Sequence, residues 1–166
     1  MHGYRRRFIY ARMLKRLGRK RENYLQKFKG ELMRMRVRGR RISKGIAEGE
    51  VLVTTQAITF LGGVDPETGK IVEKGHELEG KSIANKILVF PYGKGSTVGS
   101  YVIYQLKKNG KAPLAMINIK ANAIIAIGAI ISEIPMLDSL EKNPFDFLRN
   151  GMVILVNATE GYIDVL

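Results

Sequence analysis

The stretch that most constrains the fold is a strand, a glycine loop and a helix in direct succession. The apolar run KILVF (residues 86–90) feeds without a gap into FPYGKGSTVGS (90–100), and YVIYQLKKNG (101–110) follows at once. A short run of Ile, Leu, Val and Phe reads as a strand buried on both faces. After the loop, Val98, Tyr101, Val102 and Leu106 fall on one helical face. Lys107 and Lys108 sit in the last turn and Gly110 just beyond it, which is favourable C-terminal helix chemistry. A strand that turns tightly into an amphipathic helix must place that helix on its own sheet. The chain is therefore expected to be a layered α/β domain.

This junction presents chemistry as well as structure. The first amides of a helix lack intrahelical partners and its dipole is positive there, so an anion can bind. Gly93 and Gly95 let the backbone approach a ligand closely, and Ser96 or Thr97 is a natural N-cap. An anion site and a simple capped turn both fit. A nucleotide triphosphate loop does not, because G-x-x-x-x-G-K-[ST] needs a hydroxyl after the lysine. Here Gly95 follows Lys94, and Leu88 stands where the first glycine belongs. The nucleophile elbow G-x-S-x-G is also absent.

The remaining body alternates in the same way. EGEVLVTTQAITF (48–60) is rich in β-formers and reads as one strand. Gly62-Gly63 allows unusual backbone angles, and Asp65-Pro66-Glu67-Thr68-Gly69 reads as a turn; on local grounds this segment is a plain connection. GHELEGKSIANKI (75–87) is polar and irregular. Its His76 is one of two histidines, with neither a cysteine nor a second histidine nearby, so it reads as a hydrogen-bonded structural residue rather than a metal ligand. APLAMINI (112–119) is a strand, and the length of NAIIAIGAIISEI (122–134) favours a buried helix. A short strand at 135–138, a helical turn at 144–151 and a strand pair turning near Glu160-Gly161 complete the body. The expected architecture is a compact β/β/α layered domain, without internal repeats or low-complexity segments.

The 166 residues suit one domain with a sizeable core. No apolar stretch reaches the roughly 18 to 20 residues that span a bilayer; the longest weakly polar run, 121–137, contains Asn122, Ser132, Glu133 and Pro135. There is no cysteine. This excludes disulfides, zinc–thiolate sites and iron–sulfur ligation by the chain's own thiols, and it fits a reducing cytoplasm.

The net charge of +13 points to nucleic acid until its location is considered. Residues 1–34 hold 12 Lys/Arg against 2 Glu, a net of +10, and residues 35–166 hold 16 against 13 acids, a net of +3. The basicity belongs to the tail. Apolar residues recur there at steps of three and four, an amphipathic rhythm with a very basic face interrupted at Gly18. Such a segment suits nucleic-acid phosphates, an anionic membrane surface, organelle targeting or docking to a partner. It also suits an inert extension, since translation can begin at Met33 or Met35, just before the body. The expected division is a basic extension over 1–34 and a folded body over 35–166.

Three separated strings carry a family resemblance: GGVDPETGKIVEKGHELEGKSIANKILVFPYGKGSTVGSYVIYQL, then GKAPLAMIN, then IIAIGAIISEIPMLD. In this order they closely resemble the small subunit of the aconitase X family, over roughly residues 36–166. The resemblance implies a swivelling β/β/α domain similar to the mobile domain of aconitase. It implies a larger catalytic subunit as partner, carrying a 4Fe-4S cluster that this chain does not hold. In archaeal members it implies loss of water from (R)-5-phosphomevalonate, giving trans-anhydromevalonate 5-phosphate in a variant mevalonate pathway to isoprenoids. The family's catalytic serine, a proton acceptor in its G-K-G-S motif, falls on Ser96. Lys94, Gly95 and Thr97, with Gly62 and Gly63, are then candidates to contact the substrate's phosphate and carboxylate; His76 and Lys81 are weaker candidates. One departure stands out. Members often carry an acidic residue and a proline before IIAIGAI, where this chain has Asn122 and Ala123. Asn serves equally well if that acid only caps a helix.

The implied chemistry demands help for Ser96. A serine is a poor base in water, and a helix terminus or the Lys94 cation stabilises its alkoxide by only about 0.3–2 kcal/mol each. Closure against the large subunit is therefore expected. Another dehydratase of the same family, such as one acting on cis-3-hydroxyproline, would share the loop and the serine. From a different class, a basic-tailed RNA-binding module would bind in a salt-sensitive way through residues 1–34. The body lacks the aromatic-rich strands of common RNA folds.

Overall fold

A computed structural model describes residues 35–166 together with Asn23 and Gln26. The basic amphipathic segment otherwise lies outside the described residues. The elements run β1 (Arg36–Arg38), β2 (Arg40–Ser43), β3 (Ile46–Val53), β4 (Ile58–Thr59), β5 (Ile87–Phe90), β6 (Gly93–Lys94), α1 (Gly99–Lys108), β7 (Ala115–Asn118), α2 (Ala123–Ile131), β8 (Met136–Asp138), α3 (Pro144–Phe147), β9 (Val153–Asn157) and β10 (Tyr162–Val165).

The main sheet has the order β1-β10-β9-β3-β5-β7-β8-β2. β3, β5, β7 and β8 are mutually parallel, whereas β9, β10, β1 and β2 pair antiparallel. Its two edge strands, β1 and β2, are one stretch of chain interrupted only at Gly39. The sheet therefore curls round and closes on itself, leaving no long free edge. Gly39 permits the passage. A Cβ there would stand 2.5 Å from Leu140 Cδ2 and 2.9 Å from the Asp138 carbonyl oxygen, and its N–H donates to the Gly161 carbonyl at 3.0 Å.

Closure makes two cores. Strand side chains alternate, so Val51, Ile87, Val89, Ala115, Ile117 and Leu137 point inward to meet Ile154, Val156 and Ile163. Their neighbours Leu52, Leu88, Phe90, Met116 and Met136 point outward, under Val102, Ile103 and Leu106 of α1 and Ile125 and Ala129 of α2. The result is two β layers and one α layer, the expected arrangement. All four residues of β5 are buried because both faces are covered.

Two expectations change. The strand expected over 48–60 is broken. β3 ends at Val53, and Thr54 turns the chain by donating its N–H to Val89 O at 2.9 Å and its hydroxyl to Glu77. β4 keeps only Ile58–Thr59. The buried face of α1 is also rotated. Gly99, Val102, Ile103 and Leu106 are buried, whereas Val98 and Tyr101 are exposed. Glycines set this contact: Ile124 Cγ2 lies 3.3 Å from where a Cβ on Gly99 would stand, and Ile103 Cδ1 lies 2.6 Å from the same point on Gly128. A larger residue at Gly128 would overlap Ile103, and one at Gly99 would press tightly on Ile124.

Candidate active site

The parallel strands deliver their C-terminal ends, Val53, Phe90, Asn118 and Asp138, to one rim of the sheet. Ligand sites of α/β sheets form outside such ends. Asn118, fully buried, ties two of them by donating from Nδ2 to Phe90 O at 3.1 Å. A cavity of about 500 Å³ opens there, lined by Pro91, Tyr92, Ile119, Lys120, Ala121 and Asn122.

The glycine loop leaves this rim clamped on both sides. On one side β6 pairs with β4 in register Ile58↔Gly93 and Thr59↔Lys94. On the other, Asn122 donates from Nδ2 to Gly93 O at 2.5 Å, while its Oδ1 accepts the Ile125 N–H at 3.2 Å and caps α2. Gly93 fits closely, since a Cβ would stand 2.3 Å from Ile125 Cδ1 and force that buried side chain to shift. Gly95 has φ +89°, open to glycine with little strain, and lies over the Thr59 methyl.

Ser96 follows, and it does not cap the helix as expected; nor does Thr97. The N-cap position is Val98, without a side-chain hydrogen bond. A turn precedes the helix instead: Ser96 Oγ accepts the Val98 N–H at 3.2 Å, and Ser96 O accepts the Gly99 N–H at 2.9 Å. The hydroxyl is thus held by an amide at the positive end of α1 rather than spent deeper in the helix. Residues 94–98 are all exposed. Of the neighbouring hydroxyls, Ser100 Oγ donates to Ile124 O at 2.6 Å and serves packing, while Thr97 is exposed.

Lys94 has an unforeseen partner. Its Nζ lies 3.3 Å from Glu73 Oε1, so its charge is partly offset. Val72 and Glu73 both donate backbone N–H to Gly63 O, at 2.9 and 3.3 Å. Gly63 packs so tightly that a Cβ would stand 2.1 Å from the Thr59 carbonyl oxygen. Thr59 thereby touches Gly63, pairs with Lys94 and lies under Gly95. Through it the structure gathers Gly62-Gly63 and Lys94-Gly95-Ser96-Thr97, which are far apart in sequence.

The other candidates fall elsewhere. Buried His76 accepts the Leu78 N–H at Nδ1, 3.0 Å away, and its Nε2 lies 3.2 Å from Ala57 O. It is the structural residue expected. Lys81 lines a different cavity, with Thr54, Glu77 and Arg149, that shares no lining residue with the Ser96 loop. Among the described residues there is no group of three or more His, Cys, Asp or Glu able to hold a metal, and no helix long and apolar enough to cross a membrane.

A supporting strut escaped the sequence reading. Asp138 is completely buried and takes both Arg40 Nε and Nη2, at 2.8 and 2.6 Å, as well as the Ala121 N–H at 2.8 Å. Burial pushes its carboxyl upward, but the Arg40 hydrogen bonds and charge and the Ala121 amide outweigh it, leaving the carboxyl below its ordinary value. Asp138 therefore anchors the segment whose next residue, Asn122, holds Gly93.

Comparison with known proteins places this geometry. The family model described as aconitase X swivel domain matches residues 36–165. The phosphomevalonate dehydratase small subunit of Methanosarcina mazei is 61% identical over 132 residues, spanning 80% of this chain and 92% of that protein. The subunit of the same name from Thermococcus kodakarensis is 54% identical over 132 residues, spanning 80% and 97%. A crystal structure of aconitase X from that organism, in its holo-form, superposes with a TM-score of 0.75 at 53% identity, covering 80% of this chain and 98% of that one. With this match across the whole described body, and with the two β layers and one α layer in place, the chain belongs to the aconitase X swivel-domain family.

Proposed function

We propose that the chain is the small subunit of a two-subunit hydro-lyase that dehydrates (R)-5-phosphomevalonate to trans-anhydromevalonate 5-phosphate. The names of its relatives and their identity to this chain support the reaction. The observation that carries the chain's own part is Ser96: an exposed hydroxyl whose oxygen accepts an amide N–H in the turn before α1. Ser96 Oγ takes the proton α to the carboxylate as the neighbouring carbon loses its hydroxyl, and the double bond forms between the two carbons. The Val98 amide and the start of α1 favour the anionic oxygen. Lys94, the backbone at Gly95 and Thr97, and the Gly62-Gly63 turn bind the substrate's anionic groups. Glu73 holds Lys94 in place until a substrate anion competes for it.

The chain has no cysteine to ligate an iron–sulfur cluster, and the described residues bring together no group of three or more His, Cys, Asp or Glu able to hold a metal. The 4Fe-4S cluster is assigned to the large subunit, as is departure of the hydroxyl. The partner also has to shield Ser96 from water, because electrostatic help at this loop is strong only in a dry site. A cytoplasmic location suits this metabolic role. The test is to purify the two-subunit complex and offer it phosphomevalonate and cis-3-hydroxyproline separately. Turnover of the first alone is expected; turnover of the second alone refutes the substrate assignment.

A further inference from the structure

The outward face of α2 carries a surface feature that catalysis does not use. The helix AIIAIGAII contains no polar or charged side chain. Ile125, Gly128 and Ala129 are buried beneath it. On the opposite side Ile127, Ile130 and Ile131 are 51%, 54% and 49% exposed. A surface helix ordinarily turns charge to the solvent, and contiguous exposed apolar patches on soluble proteins mark interaction sites.

This patch runs directly out from the catalytic loop. Ile124, Ile127 and Ile131 follow at steps of three and four and form one stripe. Ile124 packs against Gly99, and its carbonyl oxygen accepts the Ser100 hydroxyl; Gly99 begins the helix that Ser96 leads into. Val98 and Tyr101, also exposed, stand at the same end of α1.

We propose that the isoleucine stripe of α2, with Val98 and Tyr101, is the seat of the large subunit. The assignment rests on reading the chain as a dehydratase small subunit. A body that closes over Ser96 reaches the stripe through Ile124 without a gap. The alternative occupant, a second copy of this chain, would cover one Ser96 loop with another chain that also lacks cysteine, and the resulting site could hold no cluster through thiolates. An interface core depleted of charge and continuous with the site matches the anatomy of a stable subunit contact.

The test uses the full chain and its tagged large subunit. Ile127→Glu and Ile131→Glu each weaken the complex about 30-fold or more, the loss expected at an interface hot spot. The isolated variants keep the wild-type unfolding midpoint, because both side chains are already exposed. Ile46→Glu, 60% exposed on β3, leaves affinity unchanged. Hydrogen exchange on the wild-type chain gives a second reading that needs no variant: amides of α2 slow when the large subunit binds. Unchanged affinity in both glutamate variants, or no slowing in α2, overturns the proposal. So does a wild-type homodimer that the variants split while still binding the large subunit normally. A complex that docks through α2 but leaves phosphomevalonate untouched supports the seat and refutes the catalytic reading instead.

Discussion

Asn122→Asp separates the two tasks of one side chain. Asn122 caps α2 through Oδ1 and holds the loop that carries Ser96 through Nδ2, which donates to Gly93 O at 2.5 Å. Aspartate keeps the cap, and its charge at a helix N-terminus gains about 0.3–1 kcal/mol. It loses the donor, however, and turns a carboxylate oxygen toward the carbonyl of a buried residue. Leaving that acceptor unpaired costs about 1–3 kcal/mol. The net expectation is a loss of about 1–2 kcal/mol, or roughly 3–8 °C in unfolding midpoint for a body of this size. Asn122→Ala loses cap and donor together and should fall further, since a lost cap alone costs about 1 kcal/mol. Activity should respond more steeply than stability. Gly93 leads through Lys94 and Gly95 to Ser96, and a misplacement of about 1 Å at a reacting group costs roughly 100-fold in rate. Thermal unfolding of the isolated chain and turnover of the assembled complex measure the two effects. An Asn122→Asp protein with wild-type kcat refutes the idea that this amide positions the loop.

Three further expectations can be tested on the same protein. Lys94→Met should raise KM about tenfold or more with a smaller effect on kcat, whereas Glu73→Gln, at a partly exposed ion pair, should change stability by less than about 1 kcal/mol; an unchanged KM in the lysine variant refutes its role in anion binding. Gly93→Ala should cost about 1–3 kcal/mol, because the new methyl overlaps Ile125 Cδ1; denaturant unfolding reads this directly. Asp138, with its carboxyl held below its ordinary value, contributes stability that is full above the unfolded carboxylate range and is lost as pH falls through the folded value. Arg40→Met strands that carboxylate in a buried site, so the gap from wild type in urea unfolding should be widest at neutral pH and narrow in acid.

What could be read from the sequence follows from how local the cause is. The strand at 87–90, the loop and the helix α1 are dictated by neighbouring residues, and they appear where the apolar run and glycines put them. Asn122 was recognisable as a cap because capping acts over three residues. Closure of the sheet at Gly39 was not visible, since it depends on β10 and β8 arriving at opposite edges of one short stretch. The burial of Ile103 instead of Tyr101 depends on the approach of Gly128 from α2, and the Lys94–Glu73 pair on the fold of the intervening loop. Local chemistry at Ser96 left an anion site and a capped turn equally open; the family resemblance singled out the hydroxyl. The structure then showed it outside the cap position, with its oxygen facing the Val98 amide.

The central claim is that the Ser96 hydroxyl receives the substrate's proton. The most direct test is Ser96→Ala in the assembled complex, following both turnover of (R)-5-phosphomevalonate and exchange of its α-proton with deuterated solvent. Assembly should be unaffected, because the Ser96 side chain is exposed and its hydrogen bond with the Val98 amide lies within its own turn. Turnover and exchange should both disappear. An alanine variant that assembles and still exchanges the α-proton at the wild-type rate would contradict the account.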